Sequence, residues 1–292
     1  MIDPKHFNHP EDDYYFEDAL RDAVRVAHDL QRPLLLAGLP GTGKTTAARA
    51  ICKVLERHAE PPVMYHRFNT KSTSVYTDLL YTYDHLGHFL QVQLGNPNAK
   101  IEDHIPEQAL GKAIIESHNQ ASLVLIDEID KAPRDFPNDL LDTLDESSFT
   151  IKERRMDYKV GEHRPFIVLT SNAEKALPDA FLRRCIFFYI EFPDGEQLRH
   201  ILQRHIDKDY LKKHLETLES WIKEVQVQLP RKKIGTAELI QWIRFLQKEG
   251  FDSAQLRPDQ SAQAETLRMS LSILAKTKED FEYLQRHCFP KA

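Results

Sequence analysis

The chain has 292 residues, of which 41% are hydrophobic and 29% are charged, and its formal net charge at pH 7 is −6. This composition is typical of a globular protein that can bury an α/β core and a smaller second domain, and no apolar stretch approaches the ~20 residues that cross a bilayer, so we expect no membrane anchor. The N-terminus without an apolar signal core and the three widely spaced cysteines without a C-x-x-C pair predict a cytoplasmic protein with reduced thiols, and the acidic balance argues against nucleic acid as a general partner.

A β-α-β unit is predicted at the start of the chain. Apolar residues recur at helical spacing over about 15–30, a short apolar run at 33–37 predicts the first strand, and residues 45–58 predict a second helix. Two prolines close that helix ahead of a second strand at 63–67. The order of these elements indicates parallel strands joined by a helix.

The loop between the first strand and the next helix, Gly38–Thr45, has the pattern G-x-x-x-x-G-K-T. Its glycines let backbone N–H groups approach phosphate oxygens, Lys44 can reach the β and γ phosphates, and Thr45 offers a hydroxyl to Mg²⁺. A chance glycine-rich turn is the alternative, but the flanking strand and helix favour a nucleotide-binding loop. The residues predicted to contact ATP are Gly38, Pro40, Gly41, Thr42, Gly43, Lys44, Thr45 and Thr46.

Residues about 69–105 predict an insertion that leaves the main fold. Helical pieces at 75–81 and 85–92 precede a polar turn at Gly95–Asn98. A further helix is predicted at 106–117, after which the main fold resumes.

Three further core strands are predicted in the middle of the chain. The apolar runs at 122–126, 166–170 and 186–190 are typical of strands that are covered on both faces. Between them we expect a helix at 135–144, a β-hairpin at about 148–165 and a short helix from Pro178. Five buried strands that alternate with helices predict a doubly wound α/β domain.

Beyond residue 192 the strand pattern does not recur. The remaining chain contains helical patterns at 197–205, 211–225, 237–247, 262–275 and 279–287. We therefore expect two domains, an α/β domain at 1–192 and an all-helical domain at 193–292.

Two acidic residues follow the apolar run at 122–126. A carboxylate at the carboxyl end of a parallel strand faces the phosphate-binding loop, so Asp127 is predicted to bind Mg²⁺ directly or through water. Glu128 is predicted to orient and polarise the attacking water as a general base. Either acid alone would be read as a solvated strand-end carboxylate, but the combination with Lys44 and Thr45 favours a nucleotide hydrolase site.

Asn172 and two arginines complete the set of candidate catalytic residues. Asn172 follows the strand at 166–170, where its amide either bonds the γ phosphate or the attacking water, or caps a turn. Arg183 and Arg184 precede the last strand, and we expect them to reach the nucleotide of a neighbouring subunit. A surface ion pair is the alternative for each arginine, and it weighs more for Arg183.

These motifs resemble those of MoxR-type AAA+ ATPases over about residues 12–247. The resemblance rests on the segments Gly38–Thr45, Leu125–Arg134, Thr170–Asn172 and Phe181–Cys185. A second set of segments resembles the branch associated with von Willebrand factor A (vWA) domain proteins: Lys71–Ser74, Asp78–Asp84 and Thr236–Leu239.

The resemblance implies a P-loop AAA+ core with a five-stranded parallel sheet in the order 5-1-4-3-2, an all-helical lid and a hexameric homo-oligomer. It also implies ATP and Mg²⁺ as cofactors, and ATP-driven remodelling, assembly or activation of a protein partner with a vWA domain. The insertion at 69–105 and the hairpin stand where this family has loops that face the pore or the substrate. Tyr14 and Tyr15 stand where similar ATPases line the adenine pocket.

The sequence departs from the AAA+ pattern at the start of a helix in the second domain. Many AAA+ proteins carry a sensor 2 arginine there, and Lys232–Glu238 has none at the expected place, which leaves Lys232 or Lys233 as a substitute. This departure keeps open a nucleotide-gated scaffold with little turnover. The insertion keeps open a nucleic-acid-stimulated motor, which the net charge disfavours. The basic hairpin residues, which either touch an anionic partner or form a solvated turn, are Lys152, Arg154 and Arg155.

Overall fold

Five parallel strands form the central sheet in a computed structural model of the chain, which describes residues 2–57, 59, 62–94, 100–229, 231–256 and 263–289. The strands of this part of the chain are β1 (Leu34–Ala37), β2 (Met64–Asn69), β3 (Ser122–Asp127), β4 (Ser148–Ile151), β5 (Met156–Lys159), β6 (Phe166–Ser171) and β7 (Ile186–Tyr189). β1, β3 and β6 are buried along their whole length, as expected of inner strands in a parallel sheet.

The sheet has the order β2-β3-β6-β1-β7. The strand numbers in this order differ from the predicted 5-1-4-3-2, because the hairpin strands β4 and β5, which lie outside the central sheet, are also numbered along the chain. Numbered over the five sheet strands alone and read from β7, the order is 5-1-4-3-2. The parallel register places Ala37 opposite Ser171 and Asn69 opposite Asp127, so the carboxyl ends of the neighbouring strands meet at one edge of the sheet.

Helices accompany the sheet along the chain. They are α1 (Asp18–Asp29), α2 (Lys44–Glu56), α3 (His85–Gln93), α4 (Ala109–Glu116), α5 (Phe136–Asp139), α6 (Leu141–Glu146) and α7 (Asp179–Leu182). The apolar periodicity that predicted α1 corresponds to one buried face of this helix, where Leu20, Val24 and Ala27 lie on successive turns.

The helices predicted at 106–117 and 135–144 differ from the structure for identifiable reasons. α4 begins at Ala109 rather than at residue 106, because Glu107 forms an antiparallel bridge with Tyr81. A residue in that extended pairing cannot belong to the helix. The single helix predicted at 135–144 is two short helices, α5 and α6.

The predicted insertion contains a 3-10 turn, Tyr76–Leu79, followed by α3, whereas its polar turn Gly95–Asn98 lies outside the described residues. Each side chain of α3 is at least partly exposed. Leu86, Phe89 and Leu90 expose 68%, 58% and 50% of their surface. Several large apolar side chains exposed on one short helix are typical of a contact surface.

Arg154 anchors the β4–β5 hairpin to the chain that precedes α4. Its guanidinium donates to the carboxylate of Glu107 at 2.5 Å and to the carbonyl oxygens of Ile105 at 2.8 Å and Glu102 at 3.1 Å. The side chain is only 15% exposed. Arg154 is therefore an internal anchor of the hairpin rather than a contact for an anionic partner.

The C-terminal part of the chain is built from helices around an apolar core. They are α8 (Gly195–His205), α9 (Lys208–Gln228), α10 (Thr236–Lys248), α11 (Ala264–Leu274) and α12 (Lys278–Cys288). Trp221 of α9 stacks on Trp242 of α10 with ring centroids 4.7 Å apart, and the Trp242 indole donates to Ser270 of α11 at 2.9 Å. Both tryptophans are buried, so their rings contribute to the packing of this core.

The chain divides into two compact units. Unit 1 comprises Met1–His9, Phe16–Gly38 and Lys44–Tyr189, and unit 2 comprises Pro10–Tyr15, Leu39–Gly43 and Ile190–Ala292. Along the chain, the long segment of unit 1 therefore ends at Tyr189, three residues before the predicted boundary at 192. Within the described residues, no helix combines the length and apolar character that a membrane crossing requires.

Candidate functional site

Asp127 ends β3 and is held by side chains of neighbouring elements in unit 1. The residue is only 5% exposed. Thr45 Oγ1, on α2, donates to Asp127 Oδ1 at 3.1 Å, and Thr170 Oγ1, on β6, donates to the same oxygen at 2.6 Å. Thr170 reaches it because β3 and β6 are neighbours in the sheet. The structure thus brings together the two residues predicted to bind a metal ion, Thr45 and Asp127.

Arg67, on β2, is a residue of this cluster that the sequence did not reveal. Its Nη2 atom donates to Asp127 Oδ2 at 2.5 Å, and its side chain is 38% exposed. The pairing has a clear cause, because a buried ionised carboxylate requires an opposite charge or several hydrogen bonds. In the sequence, Arg67 looks like any charged residue of an edge strand, and only the parallel register of β2 and β3 gives it a role.

Glu128 follows β3 with φ +58°, in the left-handed region. That conformation costs a residue with a side chain roughly 1–3 kcal/mol, so other contacts must hold it. The Glu128 N–H donates to Thr170 Oγ1 at 2.8 Å. Its carboxylate accepts from Asn172 Nδ2 at 3.1 Å and from Lys131 Nζ at 2.5 Å. Two predicted catalytic residues, Glu128 and Asn172, are thus in direct contact, and Lys131 is a partner that was not predicted.

Asp130 fixes the segment that carries Asn172. The Asp130 side chain is buried, and its carboxylate accepts from the backbone N–H groups of Asn172 at 3.3 Å and Glu174 at 3.0 Å. These bonds tie the chain after β6 to the chain after β3. They explain why the Asn172 side chain lies beside Glu128.

Lys44 begins α2 and is 6% exposed, and its Nζ atom donates to the carbonyl oxygen of Gly38 at 2.8 Å. Burial lowers the pKa of the Lys44 ammonium, and the negative charges of Asp130, Glu128 and Asp127 oppose this shift. A phosphate that approached Lys44 would favour its charged form in the same direction as these carboxylates. The next predicted contact along α2, Thr46, is exposed.

The middle of the predicted phosphate-binding loop belongs to unit 2. Gly41 and Gly43 have φ +82° and +91°, conformations that residues with a side chain rarely adopt. A Cβ at Gly41 would lie 3.1 Å from Cα of Gly235, and the Ala237 N–H donates to the Gly41 carbonyl oxygen at 3.3 Å. Thr42 Oγ1 donates to the Leu39 carbonyl oxygen at 2.9 Å. Pro40 is exposed.

The two predicted arginine fingers are held differently. Arg184 Nε donates to Asp145 Oδ2 at 2.7 Å, and its Nη1 atom donates to the Ala180 carbonyl oxygen at 3.0 Å. Both members of this ion pair are partly exposed, at 35% and 48%. The Arg183 side chain is exposed, and its carbonyl oxygen accepts from Arg32 at 2.5 Å. An exposed pair of this kind typically contributes less than about 1 kcal/mol, so Arg184 can be released from it.

Unit 2 gives the remaining predicted residues a local setting. Lys233 Nζ donates to the Val227 carbonyl oxygen at 2.8 Å, which makes it part of the connection between α9 and α10. Tyr15 stacks on His200 with centroids 4.6 Å apart, and the Arg204 guanidinium lies 5.3 Å from the Tyr15 ring centroid. Tyr14 lies in van der Waals reach of Gly43, 3.4 Å from where a Cβ on that residue would stand.

The donor set of unit 1 fits a magnesium nucleotide. Hydroxyl and carboxylate oxygens are the ligands that Mg²⁺ prefers, and Thr45 and Asp127 present them 3.1 Å apart. Lys44 supplies a cation for phosphate, while Glu128 and Asn172 supply a base and an amide. Such a set can bind a phosphate chain and activate a water molecule.

Comparison with known proteins shows that these residues lie in a stretch of the chain that matches a known protein family. The family described as "ATPase family associated with various cellular activities (AAA)" matches residues 34–194. The chain is also similar to a Lon protease of Lachnoclostridium phytofermentans, with 26% identity over 198 residues. That stretch covers 62% of this chain and 21% of the relative, so the chain spans about a fifth of the length of that protein.

Proposed function

This chain belongs to the ATPase family associated with various cellular activities (AAA), and from that membership we propose that it catalyses Mg²⁺-dependent hydrolysis of ATP. The observation that carries the proposal is the carboxylate cluster at the carboxyl end of β3, in which Thr45 contacts Asp127 at 3.1 Å and Asn172 contacts Glu128 at 3.1 Å. Each of these residues was predicted for one part of the same reaction. Their contacts support a single site rather than scattered surface groups.

The residues divide the reaction between them. Lys44 binds the β and γ phosphates, and Thr45 and Asp127 hold Mg²⁺, which neutralises phosphate charge when bound. Glu128 accepts a proton from a water molecule as the water oxygen bonds to the γ phosphorus. The bond from the γ phosphorus to the bridging oxygen breaks, and ADP and inorganic phosphate leave. Asn172 orients the Glu128 carboxylate through the hydrogen bond between them.

The decisive test replaces the base. Glu128→Gln should reduce steady-state ATP turnover by about 10²-fold or more, the range of a lost general base, while nucleotide affinity stays near that of the wild type. Turnover is measured by phosphate release, and affinity with a fluorescent ATP analogue. Glu174→Gln removes an exposed carboxylate nearby and serves as the matched control. Undiminished turnover of the Glu128→Gln variant would remove Glu128 as the base.

We further propose that the protein is of the MoxR type and works as a hexameric ring. The sequence segments that resemble this type support the assignment, and so does Arg184, whose exposed ion pair leaves it free to exchange partners. A guanidinium supplied by a neighbouring subunit offsets charge on the γ phosphate during hydrolysis. Mass measurement in solution with and without ATP tests the assembly. A monomer at all concentrations under both conditions would contradict the ring.

We propose a vWA-domain protein as the partner that is remodelled, assembled or activated. The exposed apolar face of α3, with Leu86, Phe89 and Leu90, supports a protein partner, because such faces are typical of protein contact. The Glu128→Gln variant loaded with ATP should retain its client. Capture with that variant, compared by mass spectrometry with capture by Lys44→Ala, should enrich a vWA-domain protein. If no such protein is enriched, the partner assignment is wrong.

A nucleotide-gated scaffold with little turnover is the second candidate. One observation favours it. The Lys233 ammonium donates to the Val227 carbonyl oxygen, and a lysine held there does not replace the missing sensor 2 arginine. Turnover measured at assembling concentrations, with and without a vWA-domain partner, separates the two functions. The nucleic-acid motor has less support, since Arg154 of the hairpin is an internal anchor. Salt-sensitive stimulation of turnover by DNA would revive it.

A further inference from the structure

Arg67 is paired with the same carboxylate that the proposed function assigns to Mg²⁺. Its Nη2 atom lies 2.5 Å from Asp127 Oδ2, while Thr170 occupies Oδ1 at 2.6 Å. Thr45 Oγ1 lies 3.1 Å from Oδ1 and 3.3 Å from Oδ2. The guanidinium thus occupies one of the two oxygens that face the second predicted metal ligand.

The two partners of this pair differ in burial. The Asp127 side chain is 7% exposed and the Arg67 side chain is 38% exposed. A guanidinium that already contacts water loses little when it turns away, whereas a buried carboxylate needs a cation or hydrogen-bond donors at all times. The geometry favours exchange of the cation around a fixed carboxylate.

We propose that Arg67 is a positioning residue that competes with Mg²⁺ for Asp127. Two cations next to one carboxylate repel each other, so the metal binds at the expense of the Arg67 pair. Arg67 supplies the opposite charge beside Asp127 and holds its carboxylate next to Thr45 until the metal takes over that role. The inference rests on the proposed function, because it takes Asp127 as a metal ligand.

Nucleotide binding measured against Mg²⁺ concentration tests the competition without any turnover. The affinity for fluorescent N-methylanthraniloyl-ADP is measured in EDTA and across a Mg²⁺ series, and the midpoint of the Mg²⁺ effect is compared between variants. In Arg67→Met the midpoint should fall roughly fivefold or more, the effect of removing one partly solvated competing charge. Arg67→Lys keeps a cation and should stay close to the wild type.

Two further variants keep the result interpretable. Arg67→Gln retains an amide donor and serves if Arg67→Met does not fold, as judged by circular dichroism. Arg49→Met removes the same charge from the exposed face of α2 and should leave the midpoint unchanged. A merely structural role predicts the opposite direction, since a loosened site needs more Mg²⁺. A midpoint that is unchanged or higher in folded Arg67→Met, or in folded Arg67→Gln where Arg67→Met does not fold, overturns the proposal.

The wild-type measurement separates this inference from the function beneath it. If the wild-type protein binds no nucleotide, or binds it with an affinity that Mg²⁺ does not change, the proposed function itself fails. If the wild type responds to Mg²⁺ and the charge-removing variant, Arg67→Met or Arg67→Gln, responds at the same midpoint, only the competition fails.

Discussion

The carboxylate edge, Asp127 and Glu128, and the arginine segment, Asp179–Cys185, hold their charged side chains in different ways. Asp127 is buried, and its carboxylate accepts hydrogen bonds from the side chains of Thr45, Thr170 and Arg67. Arg184 relies on an ion pair whose members are both partly exposed. The edge is thus preorganised within the chain, whereas the arginine is held weakly enough to be released. This difference is the one expected under our proposal that the base and the metal ligands come from one subunit and that the arginine finger serves another.

The largest expected effect concerns the arginine segment. Arg184→Ala should lower ATP turnover by about 10³-fold or more, the effect of a lost arginine finger, while the free energy of unfolding changes by less than about 1 kcal/mol because the pair is exposed. Turnover by phosphate release and urea unfolding measure the two quantities. Arg183→Ala is the matched control and should have the smaller effect on turnover.

Mixing experiments then decide whether Arg184 acts across subunits. Lys44→Ala subunits lack nucleotide binding but keep their finger, and Arg184→Ala subunits have the reverse defect. A mixture of the two should recover part of the turnover at intermediate ratios. If no ratio restores activity, the site is not shared between subunits.

The next effect tests how far the carboxylate edge is preorganised. Thr170 bridges the edge, since its hydroxyl donates to Asp127 and accepts from the Glu128 N–H. Thr170→Val leaves both groups with a missing partner and should destabilise the fold by about 1–3 kcal/mol, measured by urea unfolding. It should also lower turnover about tenfold, as 1.4 kcal/mol corresponds to a factor of ten.

Thr170→Ser is the control for this change. Serine keeps the hydroxyl and loses one methyl group, so unfolding and turnover should stay closer to the wild type than in Thr170→Val. Equal losses in both variants would show that packing of the methyl group, rather than the hydrogen bonds, stabilises the edge.

The sequence predicted the elements better than it predicted the partners of the site residues. The apolar runs located β1, β3 and β6, and the motif located Lys44, Asp127 and Glu128, because a parallel sheet brings the carboxyl ends of its strands to one edge. Arg67 and Lys131 were missed, since a charge near a strand end or in a turn gives no signal until register and backbone direction are known.

Contacts between residues that are distant in sequence also limited the prediction of helix bounds and of the roles of basic residues. Glu107 is in a helical pattern but pairs with Tyr81, which moves the start of α4. Arg154 looks like a solvated turn residue but bonds Glu107, which is distant in sequence. In both positions a tertiary contact overrides a local preference, and a local pattern carries no information about that contact.

A smaller effect is expected at the exposed side of the carboxylate edge. The hydrogen bond to Glu128 raises the pKa of Lys131, and the same contact occupies one oxygen of the carboxylate that a base must present to water. Lys131→Gln should therefore raise turnover roughly threefold, in line with the modest strength of an exposed pair. Initial rates across a pH series measure it, with Lys175→Gln as the control. Lower turnover in a folded Lys131→Gln protein would mean that the ion pair orients the base instead.

The last prediction compares the arginine segment with α2, the helix whose Thr45 contacts the carboxylate edge, without changing turnover. Cys185 lies in the arginine segment and Cys52 lies on α2, which carries Thr45, and burial raises the pKa of each thiol to about 12. Both thiols therefore react with iodoacetamide at pH 8 only when the chain opens locally. Because Cys185 follows the partly exposed Arg184, whereas Cys52 lies within the regular helix α2, Cys185 should be labelled before Cys52, as read by mass spectrometry of quenched samples. The raised pKa values favour the folded state below the ordinary thiol pKa of 9, and this stability is lost as the pH rises toward 12, so labelling of both should also accelerate with pH. Labelling of Cys52 first would reverse the comparison and place the more mobile element beside Thr45.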